Sequence, residues 1–75
     1  MSNNGPATLY YGWANNSSGA SIDVNRGRKE TSQRAIENAA RSELGSGWTV
    51  HVMKVYIPAG GTYGNPEEVK KFTIR

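Results

Sequence analysis

The chain has 75 residues, no cysteine, one histidine and a formal net charge of +3. These values exclude disulfides, thiolate metal sites and histidine-rich metal sites. The six acidic residues are scattered without calcium-loop spacing, so we expect no metal and no cofactor. The length predicts one domain of marginal stability, and the mildly basic charge suits nucleic acid or an acidic protein surface.

The first residues of the chain are polar and carry no basic-then-apolar targeting pattern. We expect residues 1–7 to be a flexible lead-in to a single domain formed by residues 8–75. The longest apolar-rich run, residues 50–57, is interrupted by His51 and Lys54, so no membrane span or membrane partner is expected. The default location is the cytoplasm of the producing or infected cell.

Residues 8–24 predict a β-hairpin. Aromatic residues make residues 8–14 suitable for a strand, with Leu9, Tyr11 and Trp13 on one face and Tyr10, Gly12 and Ala14 on the other. Gly12 indicates a gap, a bulge or a close backbone approach. Residues 15–19 have the composition of a turn, and residues 20–24 alternate as a second strand.

An amphipathic helix is predicted next. Thr31 or Ser32 can cap its first turn, and Gly45 or Gly47 can end it. The apolar stripe is formed by Ile36, Ala39, Ala40 and Leu44. Its alanines allow the helix axis to approach a partner layer closely.

A third strand, residues 48–57, has an apolar pattern that changes face part way. Trp48, Val50 and Val52 share one face, whereas Met53, Val55 and Ile57 share the other. Either a bulge near Val52 and Met53 resets the alternation, or both faces are covered, which would favour a homodimer or a docked protein. A glycine-rich loop (residues 58–66) and a last strand (residues 67–75) complete an α+β fold of order ββαββ, with one helix on one face of an antiparallel sheet.

Catalytic chemistry has little support in the sequence. His51 is the only histidine and lies within a strand, where packing or surface roles are more common than catalysis. The adjacent carboxylates of Glu67 and Glu68 should point to opposite faces of a strand. We therefore expect a protein that is not an enzyme.

Basic residues form the best candidate for anion or nucleic-acid binding. Arg26, Arg28 and Lys29 precede the helix and Arg34 lies in its first turn, where the helix dipole favours an anion such as a phosphate. The alternative is a solvated turn whose charges pair with Asp23 and Glu30. A second basic group, formed by Lys70, Lys71 and Arg75, would assist binding or protect a sheet edge.

Protein binding is the other candidate function. Tyr63 lies in the glycine-rich loop and is the aromatic residue that we expect to be exposed, a position that suits an interface. The alternative is that its ring folds back onto the sheet. Met53, Val55 and Ile57 would extend the interface on the second face of the third strand.

The order of elements and two segments carry a resemblance. Thr31-Ser32-Gln33-Arg34-Ala35-Ile36-Glu37-Asn38-Ala39-Ala40-Arg41, followed by Trp48-Thr49-Val50-His51-Val52, resembles small uncharacterised bacteriophage accessory proteins with an Ala-Ile-x-x-Ala-Ala helix between two hairpins. The resemblance implies a small protein that binds a host protein or nucleoprotein complex and modulates or inhibits it, as anti-CRISPR proteins do. It assigns no role to any single residue. The basic charge departs from the acidic pattern of DNA mimics, which disfavours DNA mimicry.

Overall fold

The structure is a computed structural model that describes residues 6–75. Its elements are β1 (Ala7–Asn15), β2 (Ser21–Val24), a short turn of helix at Asn25–Gly27, α1 (Gln33–Glu43), β3 (Thr49–Ile57) and β4 (Glu67–Thr73). The four strands form one antiparallel sheet in the order β2-β1-β3-β4. The predicted α+β fold of order ββαββ is thereby confirmed.

Differences from the predicted boundaries are small. Ala7, which we expected in the flexible lead-in, belongs to β1, and residues 1–5 lie outside the described part of the chain. The last strand ends at Thr73 rather than at the final residue. Within residues 6–75, no helix has the length and apolar character needed to cross a bilayer.

The β1–β2 hairpin is closed by the side chain of Asn16. Its Oδ1 accepts hydrogen bonds from the backbone N–H groups of Ser18 and Ala20, each at 3.1 Å, and from the Ser18 hydroxyl at 2.8 Å. Asparagine favours such turns because its side chain can bond the backbone that follows it. The turn aligns Trp13 with Asp23 and Gly12 with Val24 across the hairpin.

Helix α1 begins at the cap that the sequence predicts. The backbone N–H of Ala35 donates to the Ser32 hydroxyl at 3.4 Å. On the buried side, a Cβ added to Gly12 would lie 2.8 Å from Cγ2 of Ile36. Of the three predicted roles for Gly12, the structure shows the close approach, since any larger side chain would separate the helix from β1.

The core lies between α1 and one face of the sheet. Its buried members are Ala14, Val24, Ile36, Ala40, Val50, Val52 and Ile74. Leu44, Trp48 and Phe72 pack around this cluster while remaining partly exposed. The helix therefore covers the central strands β1 and β3, and within residues 6–75 no second helix covers the other face of the sheet.

Strand β3 places apolar side chains on both faces of the sheet. Its alternation against β1 is unbroken, so Val50 and Val52 point toward α1 and Met53 and Val55 point away. The expected irregularity near Val52 and Met53 exists as a shift in the β3–β4 register, but the extra residue is Val69 in β4. The interpretation that β3 resets its own alternation is wrong.

Candidate interaction surface

The face of the sheet opposite α1, here called the open face, carries a row of four different side chains. Trp13 is paired with Asp23 on one side and with His51 on the other, and His51 is paired with Lys71. Directly opposed residues in antiparallel strands share a face and stand close together. The row therefore runs from a carboxylate through two aromatic rings to an ammonium group.

His51 is held at both ring nitrogens. Nδ1 lies 2.6 Å from Oε1 of Glu68, and Nε2 lies 2.7 Å from Oδ1 of Asn15. The ring also stacks on Trp13, with centroids 4.0 Å apart and an angle of 11° between the planes. The side chain of His51 is only 12% exposed and both of its nitrogens are hydrogen-bonded, so the ring is well placed to hold the orientation of Trp13.

Two depressions on the open face meet at Tyr11. The first, with a volume of about 340 Å³, is lined by Tyr11, Trp13, Ser21, Ile22 and Asp23. The second, of about 200 Å³, is lined by Tyr11, Lys29, Val55, Tyr63, Gly64 and Pro66. The first volume lies at the small end of the range of roughly 300–1,000 Å³ for ligand pockets, so it has room for a side chain or a small group.

The second depression is built by two segments that reach over the sheet. Glu30 pairs with Tyr10 through two backbone hydrogen bonds of 2.7 and 2.8 Å, which brings its neighbour Lys29 to the open face. There the Lys29 ammonium lies 5.5 Å from the centroid of the Tyr11 ring and 4.8 Å from that of Tyr63. We call this arrangement the lysine clamp. It holds the glycine-rich loop against the sheet by cation–π attraction.

The structure combines both predictions for Tyr63. The residue is 60% exposed, yet its ring contacts Lys29 and lines the depression above Val55. It is not the only exposed aromatic residue, since Trp13 is 36% exposed and Tyr56 is 52% exposed. Tyr56 lies on the opposite face of β3 from Met53 and Val55.

The other predicted interface residues are less accessible. Val55 is only 3% exposed, and Met53 and Ile57 are half-buried. The chain's own loop lies beside Val55, so in this conformation little of its side chain is open to a partner. This loop supplies part of the cover that the apolar pattern of β3 requires.

The basic residues do not form one patch. The backbone N–H of Asn25 donates to Oε1 of Glu43 at 2.9 Å, so the basic turn begins beside the carboxyl end of α1 and not at its amino end. Arg26, Arg28 and Arg34 are exposed. Within residues 6–75 they form no ion pair, so the expected pairing with Asp23 and Glu30 is absent.

The second basic group is divided between the two faces of the sheet. Lys70 lies on the helix side, where its Nζ donates to Oε1 of Glu37 at 3.0 Å. Lys71 is opposite His51 on the open face. Lys70 therefore cannot join the open-face residues in one binding surface, whereas Lys71 can.

The sequence did not single out three residues of this surface as binding residues: Trp13, Tyr11 and Asp23. Period-two alternation places Trp13 and Tyr11 on one face, but their assignment to core or surface depends on which face the helix covers. The pairing of Trp13 with Asp23 follows from the hairpin register. This pairing could have been predicted by counting residues along both strands from the turn at Asn16.

Comparison of the chain with protein-family models, curated proteins and solved structures gives no match. The function of the open face is therefore inferred from the residues of this chain.

Proposed function

We propose that the chain is a small non-enzymatic module that binds a partner protein through the open face of its sheet. The observation that carries this proposal is the meeting of two depressions at Tyr11, with Trp13 and Tyr63 on either side. Aromatic residues at the centre of an interface contribute much of its binding energy. In keeping with the resemblance to phage accessory proteins, the proposed partner is a host protein in the cytoplasm.

The fixed orientation of Trp13 supports a binding role. The indole is held by the stack on His51, and His51 is held by Glu68 and Asn15. A side chain that is already ordered loses less conformational entropy when a partner binds. The only imidazole of the chain is 12% exposed, so little of it is accessible to a substrate, which supports the non-enzymatic part of the proposal.

Binding of single-stranded nucleic acid is the second candidate. Aromatic rings on an open sheet face can stack with bases, and Lys71 lies on this face while Arg26 and Arg28 carry charges without ion-pair partners within residues 6–75. However, Asp23 stands directly beside Trp13 and Glu68 beside Met53. Two carboxylates next to the stacking rings disfavour a phosphate backbone at this position.

The test is photocrosslinking from the rim of the first depression. A photoreactive amino acid replaces Ser21, and a control copy carries it at Asn38 on the exposed side of α1. We expect one protein to crosslink from position 21 and not from position 38. That protein is then purified, and its affinity is measured for the unmodified chain and for two variants.

Trp13→Ala should weaken this complex at least tenfold, about the effect of losing an aromatic hot spot. Tyr56→Ala is the matched control, because Tyr56 is equally aromatic and more exposed but lies on the other face. Equal losses for the two variants would contradict the proposal. Crosslinks mainly to nucleic acid, with an affinity that falls steeply with salt, would favour the second candidate.

A further inference from the structure

We infer that the first depression recognises an arginine side chain of the partner, with Trp13 and Asp23 as the recognising groups. The inference rests on the proposed function and specifies the chemistry of the partner. The depression is the space beside Trp13 on the β2 side of the open face.

One face of the Trp13 indole is covered by His51, and the indole also lines the first depression. The strand order places β1 between β2 and β3, and the His51 ring covers the indole from the β3 side at 4.0 Å. The other indole face is turned toward Asp23 and the depression. A planar group that enters there would lie against the indole and meet the carboxylate at its edge.

The carboxylate of Asp23 and the aromatic rings of the depression favour a cation as its ligand. Asp23 is exposed, and within residues 6–75 no lysine, arginine or histidine nitrogen lies within 4.0 Å of its carboxylate. Trp13 and Tyr11 add the negative faces of two aromatic rings, which attract cations. The Ser21 hydroxyl on the rim can accept a further hydrogen bond.

The neighbouring lysine clamp shows the same chemistry within the chain. The Lys29 ammonium lies over the rings of Tyr11 and Tyr63, so these two rings already attract a cation. The first depression differs because it adds a carboxylate to the aromatic wall. A guanidinium group fits this combination better than an ammonium group, since it is planar, stacks on an indole and donates two parallel hydrogen bonds to a carboxylate.

A peptide titration followed by NMR tests the inference directly. The probe is N-acetyl-Gly-Arg-Gly-amide, and its control carries citrulline, which has a similar shape but no charge. We expect weak binding of the arginine peptide in the millimolar range, with shifts at the Trp13 indole N–H and at residues 21–23. Citrulline should give no such shifts.

Two variants of the protein complete the experiment. Asp23→Asn should lower the affinity for the arginine peptide about fivefold, the effect expected for a partly exposed charge pair. Glu67→Gln, which removes another exposed carboxylate far from Trp13 in β4, should leave the affinity unchanged. Equal binding of arginine and citrulline, or an unchanged affinity in Asp23→Asn, overturns the inference. Shifts at Trp13 caused by oligothymidylate and not by the arginine peptide would also overturn it.

Failure of the inference is distinguishable from failure of the proposed function. If the crosslinked protein binds Trp13→Ala weakly but binds Asp23→Asn with normal affinity, the open face binds a protein and the assignment of an arginine site is wrong. If that protein binds Trp13→Ala with unchanged affinity, the proposed function is wrong. The peptide titration then still decides whether the depression binds arginine.

Discussion

The Trp13 indole and the His51 imidazole lie face to face, with centroids 4.0 Å apart, in the middle of the open sheet face. The contact joins the two central strands, β1 and β3. Because His51 is itself fixed by Glu68 in β4, the orientation of Trp13 depends on a strand that it does not touch.

His51→Ala tests this dependence. The variant loses two side-chain hydrogen bonds and the ring stack, so we expect the free energy of unfolding to fall by about 1–3 kcal/mol. The near-ultraviolet circular dichroism of tryptophan should weaken as the indole becomes mobile. Lys71→Ala, in the same row, should change neither quantity. An unaltered spectrum in His51→Ala would show that Trp13 is oriented by other contacts.

Gly12→Ala should destabilise the chain although it adds only one methyl group. The new Cβ would lie 2.8 Å from Cγ2 of Ile36 and 3.2 Å from Cβ of Val24, and overpacking of this kind costs about 1–3 kcal/mol. Urea denaturation measures the effect. The control is Gly45→Ala, where no heavy atom of residues 6–75 lies within 4 Å of the added Cβ. Equal stability of the two variants would mean that α1 can move away from β1 at little cost.

The fold was predictable because local signals agreed with one another. The Ser32 cap, the stripe at Ile36 and Ala40 and the alternation of β1 all indicate the observed elements. The surface was less predictable, since the sequence shows two apolar faces in β3 without showing what covers them. Only the folded chain reveals that α1 covers one face and that the loop containing Tyr63 partly covers the other.

The basic turn contains backbone strain at Arg26. Its φ of 57° follows the φ of 59° at Asn25, and a left-handed conformation costs a non-glycine residue about 1–2 kcal/mol. Arg26→Gly should therefore raise the free energy of unfolding by about 0.5–1 kcal/mol, after the greater freedom of glycine in the unfolded chain is included. Arg28→Gly is the control.

Arg28 has an ordinary φ of −77°, so glycine there should lower stability by about 0.5–1 kcal/mol. Both variants remove one positive charge, so electrostatic effects are matched. Changes of the same sign in the two variants would contradict the strain at Arg26. Chemical denaturation at neutral pH gives both values.

Acid should weaken the contact between α1 and β4. The hydrogen bond from Lys70, helped by Gln33 and the nearby charge of Arg41, holds the pKa of Glu37 below its ordinary value of 4.5, although burial acts in the opposite direction. A lowered folded-state pKa stabilises the fold above the unfolded pKa, and this stabilisation is lost as pH falls through the folded value.

Glu37→Gln should therefore be less stable than the unmodified chain at pH 7, and the difference should shrink below pH 4.5. We expect only about 0.5 kcal/mol, because Lys70 is 43% exposed and water screens the pair. Thermal unfolding between neutral and acidic pH measures the difference. Glu67→Gln, which removes a carboxylate without an ion pair in residues 6–75, should show no comparable change. A difference that is constant with pH would contradict the assignment.

The lysine clamp should control the order of the glycine-rich loop. Lys29→Ala removes both cation–π contacts, each worth about 0.5–1 kcal/mol at an exposed site. Hydrogen exchange at the Gly64 N–H, which donates to the Tyr56 carbonyl at 2.9 Å, should become faster. Lys29→Arg keeps the cation, so the Gly64 N–H should exchange as slowly as in the unmodified chain. The same slow exchange is expected in Lys71→Ala. Unchanged exchange in Lys29→Ala would show that the loop is held by other contacts.

The extra residue of β4 has a consequence for insertions and deletions. Lys70 is opposite Val52 and Glu68 is opposite Met53, while Val69 has no counterpart on β3. Loss of Val69 would leave every remaining side chain of β4 on its present face, at the cost of one apolar contact with the core. Loss of Lys71 would instead place Val69 opposite Val52 and move Lys70 to the open face opposite His51. Residue 69 is thus the place where this strand can change length without changing what it presents to either side.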